Sequence, residues 1–325
     1  MAEALILGAG FSKAAGLPLT KELFDQLPVE PSEHQNLLAQ HESVRAAWIH
    51  WSSLNPGKGT EEWMSELYSN RETDGSIWPK VLRFLTARLV LGLKERQKAE
   101  YFHDVFTSVQ SDIHRQFWTR ILKEGEIRTV VTTNYDILIE QGLRPRYESD
   151  RYAPLCHYGG MPGPEQWYRK MLNPIKNESE AVLMGNDISL FKLHGSLNWA
   201  FEPHDFKIHG DLRAAFRKTT KAGHVAIVPP IPEKQLPEDF AVVWKYAGQA
   251  LRKSRSWLVC GYSFPTYDIA VQAFFRDAIR EGVVERIAIL DPWAADIEKK
   301  LLSYKPSLTV KTLPGLQDAL SLASW

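Results

Sequence analysis

Short apolar runs recur along this chain, and stretches with helical spacing separate several of them. The first run, Ala4 to Leu7, leads directly into glycine, as a strand buried on both faces does. Similar runs follow at 129–132, 190–193, 226–228, 257–260, 287–290 and 308–310. Helical spacing lies around 238–253, 267–281 and 293–304. Strands that alternate with helices predict an α/β chain built on a Rossmann-like, doubly wound parallel sheet.

The first two of these runs are about 120 residues apart, far more than a crossover between parallel strands needs. Much of this segment has helical spacing, within 31–53, 60–69, 77–97 and 108–124. We therefore predict a single domain over residues 1–325 with a helical insertion at about 27–125. A second, irregular insertion is predicted at about 141–188, which is richer in Pro, Gly and Asn.

The composition excludes several classes of protein. With 44% hydrophobic and 24% charged residues, the chain can bury an ordinary core. Lys plus Arg equals Asp plus Glu at 39 each, so we expect no nucleic-acid partner. Two cysteines are too few for a disulfide scaffold or an all-cysteine zinc site, and we expect no metal. No run approaches the ~18 apolar residues of a membrane span and no secretory signal is visible, so a cytoplasmic protein is predicted.

A glycine-containing segment, Gly8-Ala9-Gly10-Phe11-Ser12, follows the first predicted strand. Glycines between a buried strand and a helix let the backbone turn sharply, so that N–H groups can approach phosphate oxygens. The dinucleotide pattern GxGxxG is not met, because Lys13 stands where its third glycine belongs. The segment is also compatible with a tight turn that binds nothing.

Asn134 and Asp136 follow the second predicted strand, in Thr132-Thr133-Asn134-Tyr135-Asp136. In an open parallel sheet, ligands bind at the carboxyl ends of the strands, so both side chains are candidates for a binding crevice. Either could instead cap the helix that begins near Ile137, since Asn and Asp are preferred at that position.

His194, followed by Gly195, comes directly after another predicted strand. Histidine is the usual side chain for proton transfer near neutral pH, and the glycine leaves space beside it. A structural histidine is the alternative interpretation, because the chain has 10 histidines in all.

Two further strands end in Gly261-Tyr262-Ser263 and in Asp291. A hydroxyl and a carboxylate at strand ends suit the ribose of a nucleotide. Because the carboxyl ends of parallel strands meet at one edge of a sheet, we predict that all these segments surround a single ligand.

This ordered set resembles the sirtuin (silent information regulator) family, and specifically its bacterial NAD-hydrolysing branch associated with antiphage defence. The resemblance spans residues 4–312. The matching segments are the phosphate-binding loop at Gly8–Ser12 with Gly16 and Pro18, Thr133–Asp136, the catalytic His194-Gly195, and the adenosine turn at Gly261–Ser263.

Differences from the protein deacylases of this family favour the hydrolase branch. The deacylases carry a zinc ribbon of four cysteines, which this chain cannot supply. Their phosphate loop continues with an acidic–Phe–Arg sequence, where this chain has Leu19-Thr20-Lys21-Glu22. The 60-residue separation of Asn134 and His194 is also longer than expected for a deacylase.

The resemblance implies an NAD+ glycohydrolase that releases nicotinamide and ADP-ribose and depletes NAD in antiphage defence by abortive infection. NAD is then a substrate, and no metal takes part. We assign Asp136 to the nicotinamide carboxamide, Asn134 to the ribose and the attacking water, and His194 to the general base. The predicted NAD-binding residues are Gly8, Ala9, Gly10, Phe11, Ser12, Thr133, Gly261, Tyr262, Ser263 and Asp291.

Two other functions stay open: an NAD-dependent protein deacylase or ADP-ribosyltransferase, and a catalytically silent nucleotide-binding sensor or scaffold. A hydrolase of NAD must be restrained in a healthy cell. We therefore expect control by homo-oligomerisation or by a separate regulatory protein, such as an ATPase of the same defence system. The helical insertion, rich in Trp and Phe, is either an interface for such a partner or an ordinary helical core.

Overall fold

A computed structural model describes residues 2–24, 35–71, 73, 75–95, 112–124, 127–139, 156–158, 188–202, 205–208, 225–228 and 238–321. The strands are β1 (Ala4–Leu7), β2 (Thr129–Thr132), β3 (Cys156–Tyr158), β4 (Ile188–Lys192), β5 (Gly195–Glu202), β6 (Asp205–Ile208), β7 (Val225–Ile227), β8 (Ser256–Cys260), β9 (Arg286–Leu290) and β10 (Thr309–Leu313). The helices are α1 (Ala9–Lys13), α2 (Gln35–Leu54), α3 (Thr60–Ser69), α4 (Trp78–Glu95), α5 (Asp112–Glu124), α6 (Glu238–Lys253), α7 (Ile269–Glu281) and α8 (Ala294–Tyr304), with 3₁₀ turns at Thr20–Glu22 and Leu316–Ser321.

Seven strands form one sheet in the order β10-β9-β8-β1-β2-β4-β3, and every neighbouring pair is parallel. The chain moves outward from β1 through β2 to the edge strand β3, and then back to β4, which lies between β2 and β3. It crosses to β8 on the other side of β1 and moves outward again to β10. Because such crossovers are right-handed, the helices of the two halves cover opposite faces. The predicted Rossmann-like, doubly wound sheet is confirmed.

The apolar runs of the sequence form the centre of the sheet. All four residues of β1 and all five of β8 are buried, and they share one hydrophobic core with β2 and β9. A strand that has helices on both faces has no polar side to present, so its sequence is a continuous apolar run rather than an alternating one. The switch in strand order at β1 leaves a crevice at the carboxyl edge of the sheet.

The run at 226–228 was expected in the parallel sheet, and this expectation is wrong. It forms β7, which pairs antiparallel with β5 in a separate three-stranded sheet of order β6-β5-β7. A run of three apolar residues does not indicate which strand it pairs with, and its neighbour β5 was not predicted from the sequence. Gly195 at the start of β5 has φ of 81°, and a Cβ there would lie 1.8 Å from the backbone oxygen of Ala226. Only glycine permits this approach.

The predicted helical insertion contains two different packing environments. Side chains from α2, α3 and α4 form a second core, in which Phe24 stacks on Phe84 at 5.3 Å and meets Trp63 edge-on at 4.9 Å. Helix α5 instead contributes to the core of the parallel sheet. Many of the aromatic residues in this region are therefore explained by ordinary core packing. The boundaries of both predicted insertions stay predictions, and most of 141–188 lies outside the described residues.

No helix in the described parts of the chain is both long and apolar enough to cross a lipid bilayer.

Candidate functional site

A cavity of about 680 Å³ opens at the carboxyl edge of the parallel sheet. This volume lies within the range of roughly 300–1,000 Å³ that ligand sites usually occupy. Among the residues predicted from sequence, those that line it are Ala9, Gly10, Phe11, Ser12, Thr133, Asn134, Asp136, His194, Gly261, Tyr262, Ser263 and Asp291. The structure thus brings together segments that follow β1, β2, β4, β8 and β9. Gly8, also predicted to bind the ligand, is not among the lining residues.

The glycines of the first loop and of the loop after β8 are required because these two backbones touch. A Cβ on Gly8 would lie 2.5 Å from the backbone oxygen of Gly261, and a Cβ on Gly261 would lie 2.1 Å from the nitrogen of Phe11. The Gly10 N–H donates to the Gly261 oxygen at 2.9 Å, and the Phe11 N–H donates to the Gly8 oxygen at 3.0 Å. These two amides are thus used within the protein, whereas the Ala9 N–H donates to no described residue.

The loop after β2 is tied to the loop after β1 by a buried hydrogen-bond network. Asn134 donates through Nδ2 to the Gly8 oxygen at 2.8 Å and to Ser12 Oγ at 2.9 Å. Ser12 in turn donates to Asp136 Oδ2 at 2.6 Å. The other carboxylate oxygen of Asp136 accepts from the Leu138 N–H at 3.0 Å. Asp136 therefore caps the following turn, as the structural alternative predicted, and also lines the cavity.

Thr132, the last residue of β2, fixes where Asn134 lies. Its hydroxyl donates to the Leu7 oxygen at 2.9 Å and accepts from the Asn134 N–H at 3.0 Å. Both hydrogens of the Asn134 side chain are used by the first loop, and its amide oxygen accepts from no described residue. This oxygen can therefore accept a hydrogen bond from a ligand hydroxyl or from a water.

His194 lies two residues beyond β4, almost fully buried, and lines the same cavity as Asn134. Its Nε2 is 2.9 Å from Asp268 Oδ2, and the two side chains are 3% and 1% exposed. The ring of Tyr135 stacks on the imidazole at 6.0 Å, and its hydroxyl donates to the Val228 oxygen at 3.2 Å. Burial raises the pKa of Tyr135 well above its usual range, so this phenol stays neutral.

Asp268 was not identified from the sequence. It directly precedes α7 and accepts the Val271 N–H at 3.3 Å through Oδ1, as an N-cap does. An Asp at the start of a helix is ordinary, and nothing in the pattern shows that its other oxygen faces a histidine from a different part of the sheet.

A second group missed by sequence reasoning comes from α3. Glu61 is buried, lines the cavity and accepts a hydrogen bond from the hydroxyl of Tyr267, which accepts one from Thr20. Burial raises the pKa of Glu61 above its ordinary value, and burial likewise raises the pKa of Tyr267. Because Glu61 lies in the predicted insertion, its sequence position gave no sign of proximity to the strand ends.

The far end of the cavity lies beside β9. Asp291 is buried there, and burial raises its pKa even though the Trp293 N–H donates to its Oδ1 at 2.8 Å. Trp293 also lines the cavity and is 69% exposed. A large exposed aromatic side chain at the rim of a ligand cavity is suited to stacking against a flat ring. Within the described residues, no three His, Cys, Asp or Glu side chains come together as metal ligands do.

Comparison with known proteins gives fold-level likenesses only. No protein-family model matches the chain, and neither does any curated protein. Among solved structures, Sir2Tm bound to a propionylated peptide has 12% identity and a TM-score of 0.47, covering 98% of this chain and 90% of that one. Sir2 in complex with the inhibitor EX-527, 2′-O-acetyl-ADP-ribose and a deacetylated p53 peptide has 12% identity and a TM-score of 0.44, covering 98% and 91%. A complex of Sir2, p53 peptide and NAD+ has 11% identity and a TM-score of 0.42, covering 98% and 90%.

Proposed function

We propose that this protein is an NAD+ glycohydrolase, which cleaves the bond between nicotinamide and ribose to give nicotinamide and ADP-ribose. One observation carries the proposal: Asn134 and His194, from two different strand ends, line one cavity together with the loop that follows β1. A base and an amide around a nucleotide-sized cavity are what hydrolysis of a ribosyl bond requires.

The dinucleotide is proposed to lie across the carboxyl ends of the strands. Its pyrophosphate lies along Ala9 to Ser12, in α1, where the Ala9 N–H donates to no described residue. The adenosine half lies towards Ser263, Asp291 and the exposed ring of Trp293. The nicotinamide riboside half then lies at Asn134 and His194.

The chemistry of the leaving group decides which catalytic groups are needed. When the C–N bond breaks, its electron pair goes to the pyridinium nitrogen, so nicotinamide leaves as a neutral molecule without an acid to protonate it. The ribosyl carbon acquires oxocarbenium character, as in glycoside hydrolysis. A water oxygen forms the new bond to that carbon, and its proton must be removed.

His194 is proposed to accept this proton. The Asn134 amide oxygen, which has no described protein donor, orients the water or a ribose hydroxyl. Asp136 is proposed to bind the nicotinamide carboxamide. Each of its carboxylate oxygens accepts one protein hydrogen bond and can accept another from a ligand.

The experiment is direct. Purified protein is incubated with NAD+, alone and with an acylated peptide, and nicotinamide and ADP-ribose are quantified. The proposal expects both products without peptide, and loss of both with His194→Ala but not with the exposed His50→Ala. Strict dependence on the peptide would identify a deacylase instead. Binding of NAD+ without turnover, with every candidate partner added, would identify a sensor or scaffold.

The biological role we propose is depletion of cytoplasmic NAD+ in antiphage defence, with activity controlled by self-assembly or by a separate regulatory protein such as an ATPase. The sequence resemblance to the NAD-hydrolysing branch supports this role. Cells that express the wild-type protein should lose NAD+ on infection, and cells that express His194→Ala should not. Equal NAD+ levels in the two strains during infection would refute it.

A further inference from the structure

Asp268 and His194 form a buried pair. His194 has a role in the proposed reaction, whereas no role has yet been given to Asp268. The 2.9 Å contact joins the N-terminus of α7 to the end of β4. Placing a carboxylate and an imidazole together away from water is costly unless their contact is well aligned. Such a pair at the wall of a ligand cavity is a frequent feature of groups that exchange protons.

We infer that Asp268 is a positioning residue for His194, an inference that rests on the function proposed above. An ionised carboxylate only accepts hydrogen bonds, so the contact at Oδ2 pairs with an N–H on Nε2, and in the neutral ring the basic lone pair is then on Nδ1. When His194 takes the proton of the attacking water, the same carboxylate stabilises the imidazolium that forms.

The two oxygens of Asp268 have separable tasks. Oδ1 accepts from the Val271 N–H and caps α7, while Oδ2 faces His194. Capping of the helix requires only one acceptor, which is Oδ1. The contact between Oδ2 and the imidazole is therefore not explained by capping. Asn in this position retains the acceptor for the cap and replaces the oxygen facing His194 with an NH₂ group.

Several other titratable or charged groups lie near the imidazole. Tyr135 stacks on it, and electrostatic contacts link Tyr135 to Asp268, Tyr267 and Glu61. Lys192, at the end of β4, donates to the backbone oxygen of Asp136. Because burial raises the pKa of both phenols, neither competes as an anion, and the Asp268 carboxylate is in direct contact with the ring.

The experiment compares Asp268→Asn with Asp277→Asn, a matched change on α7 at a half-exposed residue. In the ¹⁵N NMR spectrum of the protein without NAD+, the neutral His194 ring should carry its proton on Nε2 in the wild type and on Nδ1 in Asp268→Asn. The His194 signal is identified by its loss in His194→Gln. Asp277→Asn should keep the wild-type tautomer.

The kinetic prediction is a fall in kcat of ~10²–10⁴-fold for Asp268→Asn with KM for NAD+ changed by less than about threefold, since only the proton transfer is affected. Removing the carboxylate also moves the acid limb of the pH–rate profile to lower pH. Asp268→Ser, which caps a helix equally well and also removes the carboxylate, tests the same fall in kcat if the Asn variant does not fold. An unchanged tautomer together with unchanged kcat would show that Asp268 acts only as a helix cap.

Failure of the wild type to cleave NAD+ would instead refute the proposed function. The NMR experiment does not depend on activity, so it would still show whether Asp268 sets the tautomer of His194.

Discussion

Ser12 donates a 2.6 Å hydrogen bond to Asp136, across the two loops that follow the neighbouring strands β1 and β2. The same hydroxyl accepts from Asn134, so one small side chain holds the amide and the carboxylate in fixed positions. Both loops are therefore held in place before any ligand arrives, which reduces the cost of binding.

Replacing Ser12 with Ala should destabilise the protein. It leaves Asp136 Oδ2 and one Asn134 N–H without their buried partner, which costs roughly 1–3 kcal/mol in the free energy of unfolding. Urea denaturation measures this cost. Ser53→Ala, which removes an exposed hydroxyl bonded to the His50 oxygen, is the control and should change stability by less than about 0.5 kcal/mol. Equal stability of the two variants would contradict the network.

Gly261→Ala tests the contact between the loops after β1 and β8. The added Cβ would overlap the backbone of Phe11, and the residue has φ of 61°. Gly57→Ala is the matched control, because Gly57 has φ of 86° with open space around it. The control should lose about 1 kcal/mol of stability from backbone strain alone, whereas Gly261→Ala should lose more than about 2 kcal/mol and bind ADP-ribose weakly. Similar losses in both variants would show that the backbone contact contributes nothing.

Trp293→Ala should weaken binding of ligands that contain adenine. Stacking of a base on an aromatic side chain contributes about 1–3 kcal/mol, or roughly 5- to 150-fold in Kd for ADP-ribose. Trp293→Phe should retain most of the affinity, and stability should be unaffected because the side chain is largely exposed. Calorimetry with ADP-ribose and with nicotinamide mononucleotide separates the two ends of the cavity. If Trp293→Ala weakened the binding of ADP-ribose and of nicotinamide mononucleotide equally, Trp293 would not be in contact with the adenine.

Glu61→Gln should make stability less dependent on pH. Burial raises the pKa of Glu61 above 4.5 in the folded protein, so the native state holds its proton more tightly than the unfolded state. The wild type therefore loses stability as pH rises from the unfolded value through the raised folded value, and the loss is complete above that value. Gln cannot titrate and still offers an oxygen to Tyr267.

The free energy of unfolding of both proteins, measured between pH 4 and 8, checks this. The advantage of Glu61→Gln over the wild type should grow as pH rises through this window and then level off. Glu42→Gln, at an exposed residue of α2, is the control and should change stability by less than about 0.5 kcal/mol. A difference between Glu61→Gln and the wild type that stays the same across this pH range would contradict the raised pKa of Glu61.

Much of the sheet and the strand-end residues could be predicted because their signals are local. An apolar run such as Ala4–Leu7 reports burial on both faces, and a parallel sheet brings every strand end to one edge whatever the chain does between strands. The placement of Asn134 and His194 on one cavity follows from topology alone. Their chemical roles remain predictions.

Contacts set by packing between distant elements could not be predicted. Asp268 reaches His194 only because α7 begins beside β4's end, and Glu61 reaches the cavity only because α3 packs over it. Neither residue differs in sequence from an ordinary cap or a solvated helix residue. The strand β7 was assigned to the wrong sheet for the same reason, since its partner β5 gave no recognisable signal.

The proposed reaction depends on Asn134 and His194 acting on one bound dinucleotide. The decisive measurement is the initial rate of nicotinamide release from NAD+ by the wild type, Asn134→Ala, His194→Ala and His50→Ala, each shown to be folded and each assayed for NAD+ binding. We expect His50→Ala to match the wild type, and the other two variants to bind NAD+ while losing at least ~10²-fold in kcat. Cleavage by folded His194→Ala at the wild-type rate would contradict the account.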